Sequence, residues 1–142
     1  MTNTQFHPLT KNDLKHLDFQ RDEITRHLSD DDKSGAYATA MGKLTTLKIL
    51  LDTNIFNAEH THELQCMGVI LGDIFVLENN FRWVIAEDHY GRTPAIVHNN
   101  EQLTFFPVTM ISKRIERGEK VDIVKLYRKL CNQINSLIAD YC

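Results

Sequence analysis

The chain has 142 residues, 42% hydrophobic and 25% charged, with only 3 prolines and 6 glycines; this is globular composition and excludes a disordered or low-complexity protein. Such a length suits one domain that buries roughly two thirds of its extended surface without metals or disulfides, so residues 1–142 are expected to fold as a single unit. A formal net charge of −3 and a pI near 6.1 leave no general electrostatic footprint for a polyanion, so no nucleic-acid partner is expected, although a local basic patch is compatible with these values.

The first helix is announced by Thr10 and Asp13, which form a capping box, with Leu9 and Leu14 placed as a hydrophobic staple. Leu14, Leu17, Ile24 and Leu28 then recur at helical spacing as a core face. The polar stretch SDDDKSG separates it from a second helix, expected from Gly35 to Leu51, whose apolar positions include Met41, Leu44, Leu47 and Leu51. A third helix, Thr61 to Glu78, is apolar on most sides and is expected to be the central buried one. Gly68 and Gly72 lie four apart on it and allow another backbone to approach closely.

The period then changes. FRWVIAE, PAIVH and LTFFP are short, rich in β-branched and aromatic residues, and separated by turn residues, which predicts a three-stranded antiparallel meander over residues 81–107. Gly91 can supply a positive φ in the first turn, and Asn99 and Asn100 tolerate one in the second; Pro94 is expected to start its strand and Pro107 to end one. A short helix, VTMISKRIER, should stop at Gly118 in a C′ position, with Lys113, Arg114 and Arg117 near the negative end of its dipole. Asp122 should cap the last helix, where Ile123, Leu126, Tyr127, Leu130, Ile134, Leu137 and Ile138 line one face. The expected fold class is therefore α+β: helices over 10–78, the meander, then two helices over 108–140.

The opening residues contain no apolar core that would serve as a signal peptide, and the most apolar run, 67–77, is too short to span a bilayer and carries Asp73. A cytoplasmic protein with no membrane partner is expected. Cys66, Cys131 and Cys142 are odd in number and lack CxxC spacing, which suits reduced thiols better than a disulfide framework or a zinc site.

Leu71-Gly72-Asp73, Trp83-Val84, Glu87-Asp88 with Tyr90-Gly91-Arg92, and Phe106-Pro107 through Met110-Ile111-Ser112-Lys113-Arg114 to Glu119 carry a resemblance. Over residues 71–121 the chain resembles the bacterial family of domains of unknown function called DUF3806. The resemblance implies a small bacterial cytoplasmic protein of helix, meander, helix organisation, and it implies no activity. His89 stands where the resemblance leads one to expect an acidic residue, which argues against an all-carboxylate cluster in the turn.

Four groups of residues suggest chemistry. Glu87, Asp88, His89, Tyr90 and Arg92 crowd the first hairpin; a catalytic reading would use a carboxylate as base, His89 as acid and Arg92 to hold an anion. Strand alternation sends Glu87 and Asp88 to opposite faces, which favours a binding surface, or a plain turn in which Asp88 hydrogen-bonds the loop. Asp30, Asp32, Ser34 and Gly35 match the first positions of a calcium loop, but Met41 stands where the closing Glu is required. His60 and His62 are two apart and point in different directions on a helix, with no third ligand identifiable, so neither a metal nor a cofactor is expected. Asp73, on an apolar helix, needs a partner if buried, and Lys113 or Arg114 is the expected one, a buried charge pair; otherwise Asp73 belongs to a pocket.

With no nucleophile elbow and no glycine-rich phosphate loop in the sequence, no catalytic residue is assigned. The expected function is non-covalent protein binding, in its concrete form an immunity-type protein neutralising a basic toxin domain. Trp83, Glu87, Asp88, His89, Tyr90 and Arg92 are the candidate contact surface. The alternative is a small-molecule-binding or hydrolytic domain with Asp73, Glu87 and Lys113 around one pocket.

Overall fold

The computed structural model describes residues 4–29, 35–100 and 103–138. Among these residues five α-helices and four strands follow in the order β1 (Gln5–His7), α1 (Lys11–Thr25), α2 (Ala40–Asp52), α3 (Thr61–Glu78), β2 (Phe81–Asp88), β3 (Gly91–His98), β4 (Thr104–Phe105), α4 (Met110–Glu116) and α5 (Ile123–Ile138). Short 3-10 turns at Ala36–Ala38 and Pro107–Thr109 lead into α2 and α4. The α+β class agrees with the sequence, whereas the element order differs, because a strand precedes the helices. The sheet is larger than expected: its order is β1-β2-β3-β4, antiparallel throughout, because Gln5–His7 pairs with Ile85–Glu87 on the far edge of the meander. A strand of three residues carries too little alternation to be read from sequence.

Local signals set most boundaries. Thr10 and Asp13 form the reciprocal capping box of α1. The Thr39 side chain accepts from Gly42 N at 2.9 Å and so starts α2 at Ala40, five residues later than expected. At the end of α4, Gly118 takes φ +84°; its N–H bonds Ile115 O while Glu119 N–H bonds Arg114 O, the paired bonds of a Schellman end. Asp122 caps α5 by accepting from Lys125 N at 3.1 Å.

Several expectations are corrected. Pro94 lies inside β3, opposite Ile85; this is permitted because β4 ends opposite Ile96, leaving β3 an edge at that point. Among the described residues the non-glycine ones with positive φ are Asn54 and Asn80; Asn99 and Asn100, which could tolerate one, do not adopt it. Leu14 and Met41 are exposed, at 47% and 66%, while Leu17 and Leu44, three residues further along each helix, are buried and carry the core face. The candidate calcium-loop residues Asp30, Asp32 and Ser34, together with Cys142, lie outside the described residues.

Helix α3 is the axis of the core, with ten buried residues from Leu64 to Phe75. α1, α2, β2, the Pro107–Thr109 turn and α4 all pack against it. Phe75, Phe81, Phe105 and Tyr127 meet where α3, the sheet and α5 join, with centroid separations of 5.2 to 5.8 Å. The two glycines of α3 are both used inside this chain. A Cβ on Gly68 would lie 2.3 Å from Val108 O, and one on Gly72 would lie 2.4 Å from the Trp83 ring.

Candidate functional site

Asp73 does have a basic partner, contributed by α1. Arg21 Nε and Nη2 each donate to its carboxylate at 2.8 Å, and Trp83 Nε1 donates to Oδ1 at 2.9 Å. Arg21 also donates to Asp18 at 2.8 Å. Lys113 is exposed on α4, and Arg114 donates to Met110 O. The expected pairing of Asp73 with Lys113 or Arg114 is thereby corrected. The turn Pro107–Thr109 presses on Gly68, and α4 starts beyond it, while Leu17, Gln20 and Ile24 bring the Arg21 side of α1 directly onto α3. Arg21 lies four residues after Leu17 and three before Ile24, so its place on the core face was legible from helical spacing.

Tyr37 closes the same region. Its side chain is 6% exposed, its hydroxyl has no hydrogen-bond partner among the described residues, and Lys43 Nζ sits 4.0 Å from its ring centroid. Burial pushes the phenol's pKa up, the Asp73 carboxylate adds to the rise and Arg21 opposes it. Burial likewise holds the Lys43 pKa below its usual value. With every oxygen of Asp73 taken by Arg21 and Trp83, this cluster is a structural clamp between α1, α3 and β2 and leaves no free base.

The hairpin residues divide. Trp83 points inward onto Gly72 and Asp73. Glu87 is bonded by His7 of β1 at 3.2 Å. Asp88 accepts from Tyr90 N at 2.8 Å, the turn-forming bond expected of it. Arg92 reaches back to Asp13 at the start of α1, at 3.1 and 3.4 Å. Hydrogen bonds from Thr10 and then from Arg92 hold the Asp13 carboxyl pKa below the usual value. His89 and Tyr90 are left projecting, their rings 4.0 Å apart and Tyr90 84% exposed. Asp73, Glu87 and Lys113 thus have separate surroundings and do not converge on one pocket.

Cys66 and His62 come within 3.7 Å, and His62 lies 4.0 Å from Glu23. Both approaches use Nε2, so the imidazole has no second nitrogen engaged to relay a proton. Burial, then the carboxylates of Glu23 and Glu63, push the Cys66 thiol up to about 11, the opposite of an activated nucleophile. Among the described residues no three His, Cys, Asp or Glu side chains are grouped to hold a metal ion.

A groove of about 900 Å³ opens between β4 and α5. Its floor is apolar, formed by Leu103 and Phe105. Its wall is the outer face of α5, where Lys125, Arg128, Lys129, Asn132 and Gln133 follow at helical spacing. None of these three cations forms an ion pair among the described residues, and no described carboxylate lines the groove. The sequence allowed for a local basic patch; this is where the fold places one. The α5 half was readable from amphipathic spacing, whereas the facing strand was not.

Fold and site together define an α+β domain: a four-stranded antiparallel sheet on a buried central helix, with an open basic groove at the β4 edge. The chain belongs to the DUF3806 family, described as a domain of unknown function, whose family model matches residues 43–127. No curated protein matches it. Among solved structures, one from Bacteroides thetaiotaomicron VPI-5482, a crystal structure at 1.50 Å resolution, is similar with a TM-score of 0.73 at 12% identity over 92% of this chain. This chain spans 48% of that protein's length. At such identity the likeness is one of fold.

Proposed function

We propose that this chain is a non-catalytic protein-binding domain and that the groove between β4 and α5 is its principal contact surface. One observation carries the reading: the groups best suited to catalysis (Asp73, Glu87, Cys66) are tied up in internal contacts or deactivated by burial, while an apolar-floored groove stays open, its three cations without ion-pair partners among the described residues. A groove that combines apolar floor and polar rim has the make-up of a protein contact site. Toxin neutralisation is the narrow form of this proposal. A basic toxin domain, drawn by a net charge of −3, would meet another face, the hairpin tip with His89 and Tyr90 being the natural one.

The test is a quantitative pull-down from the native host's lysate with three baits: wild type, Tyr90→Ala, and the triple variant Lys125→Glu, Arg128→Glu, Lys129→Glu. A stoichiometric protein retained by wild type and Tyr90→Ala but lost by the triple variant supports the groove. Loss with Tyr90→Ala alone moves the contact to the hairpin. Absence of a protein partner from all three baits overturns the reading.

A further inference from the structure

Resting on the protein-binding reading, we propose that the groove receives an extended acidic protein segment that adds as a fifth strand to the β4 edge, with its carboxylates on the α5 cations. Three observations converge on this occupant.

The first is the open ladder. β4 is an edge strand of the sheet. His98 N–H bonds Leu103 O at 2.9 Å, and Val97 stands opposite Thr104. Hydrogen-bonded pairs alternate in an antiparallel ladder, so they fall at Leu103 and Phe105, and Thr104 turns its own N–H and C=O to the open side. No described residue bonds them there. An exposed edge of this kind is a template for an incoming strand, the mode in which main-chain bonds give affinity and flanking side chains give specificity.

The second is length. The groove follows α5 from Lys125 to Leu137, about 18 Å of helix at 1.5 Å per residue. An added strand of roughly five residues covers the same distance.

The third is charge and face. Phe105 belongs to the helix-facing side of the sheet, stacked on Phe81 at 5.4 Å. Alternate residues of a strand added beside it therefore face α5, where Lys125, Arg128 and Lys129 lie without carboxylate partners among the described residues. The matching segment alternates acidic residues toward the helix with small or β-branched residues outward.

The experiment is fluorescence anisotropy on the full chain with a labelled synthetic peptide alternating Glu with Val and Ser. Comparison probes are the same peptide N-methylated at alternate residues, a version with Lys for Glu, and a single-stranded oligo(dT). The proposal expects the acidic peptide to bind and the Lys peptide not to. N-methylation, which removes main-chain donors and leaves the charge, should weaken binding roughly tenfold, as should the Lys125→Glu, Arg128→Glu, Lys129→Glu variant. Equal binding of the methylated peptide overturns strand addition. Tighter binding of oligo(dT) than of the peptide makes the groove a polyanion site and overturns the proposal. Self-association in sedimentation, abolished by the same triple variant, would assign the groove to a second copy and overturn it as well. If every peptide fails while a partner is still captured through the Tyr90 surface, strand addition falls and the protein-binding reading stands; if neither occurs, both fall.

Discussion

Arg21 and Asp73, 52 residues apart, meet as a two-point ion pair with both contacts at 2.8 Å, the carboxylate 15% and the guanidinium 27% exposed. Trp83 bonds the same carboxylate, so one acidic side chain joins α1, α3 and β2. Removing Arg21 leaves the Asp73 carboxylate without its counter-ion in a partly dry site. Arg21→Ala should lower unfolding free energy by about 2–3 kcal/mol, somewhat under the cost for a fully buried pair. Asp73→Ala leaves two Arg21 donors and the indole N–H without their acceptor, although Arg21 keeps Asp18, and should cost more. Urea unfolding of the two variants checks the order, which is reversed if the Trp83 bond contributes nothing.

Trp83 is the sole tryptophan of the chain, so its fluorescence reports on this clamp directly. Gly72→Ala would place a methyl 2.4 Å from Trp83 Cζ2. The gain in helix propensity is about 1 kcal/mol, and overpacking of a well-filled site costs roughly 1–3 kcal/mol, so the net effect should be destabilising. A red-shifted emission from an expelled indole should accompany it. Gly68→Ala meets backbone, Val108 O at 2.3 Å, which cannot rotate away. It should be the more damaging of the two in thermal unfolding.

Tyr37 invites the opposite result. Its hydroxyl is buried without a partner among the described residues, and an unsatisfied buried polar group costs about 1–3 kcal/mol. Tyr37→Phe keeps the ring under Lys43 and removes that penalty. Unfolding free energy should rise by about 1 kcal/mol. A loss of stability would show that the hydroxyl has a bonding role in solution.

The tie between hairpin and α1 should be acid-sensitive. Asp13 has a folded pKa depressed below 3.8 by Thr10 and Arg92. Its stabilising contribution is therefore fully present above the unfolded value and is lost as pH falls from about 3.8 through the folded pKa. Chemical shifts of the Arg92 guanidinium should titrate in that window, and Asp13→Asn should remove the transition. Titration at or above pH 3.8 would contradict the hydrogen bonds drawn here.

Much of the fold was legible because its signals are local. Thr10 with Asp13, Asp122 and Gly118 each satisfy a backbone group within a few residues of themselves, Gly91 takes the positive φ its turn needs, and the helical period of α3 and α5 survives any packing. The β1 strand was missed because its three residues take their strand character from Ile85–Glu87 far along the chain. The candidate surface was half legible. Tyr90 does project, but Trp83, Glu87 and Arg92 are turned to Asp73, His7 and Asp13, partners that strand alternation alone does not reveal.

The sequence by itself determined the α+β class, the longer elements and their caps, and membership in a family whose pattern runs through α3 and the hairpin, since these depend on residue spacing and short-range hydrogen bonds. Only the tertiary structure decided which charges meet. Arg21 rather than Lys113 reaches Asp73 because Leu17 and Ile24 seat the Arg21 side of α1 on α3, whereas α4, which also packs on α3, turns Ile111 and Ser112 inward and leaves Lys113 in solvent. It also placed the basic face of α5 beside the open edge of β4, a juxtaposition that exists only once the core they share has closed, because packing brings together residues that no period in the chain relates.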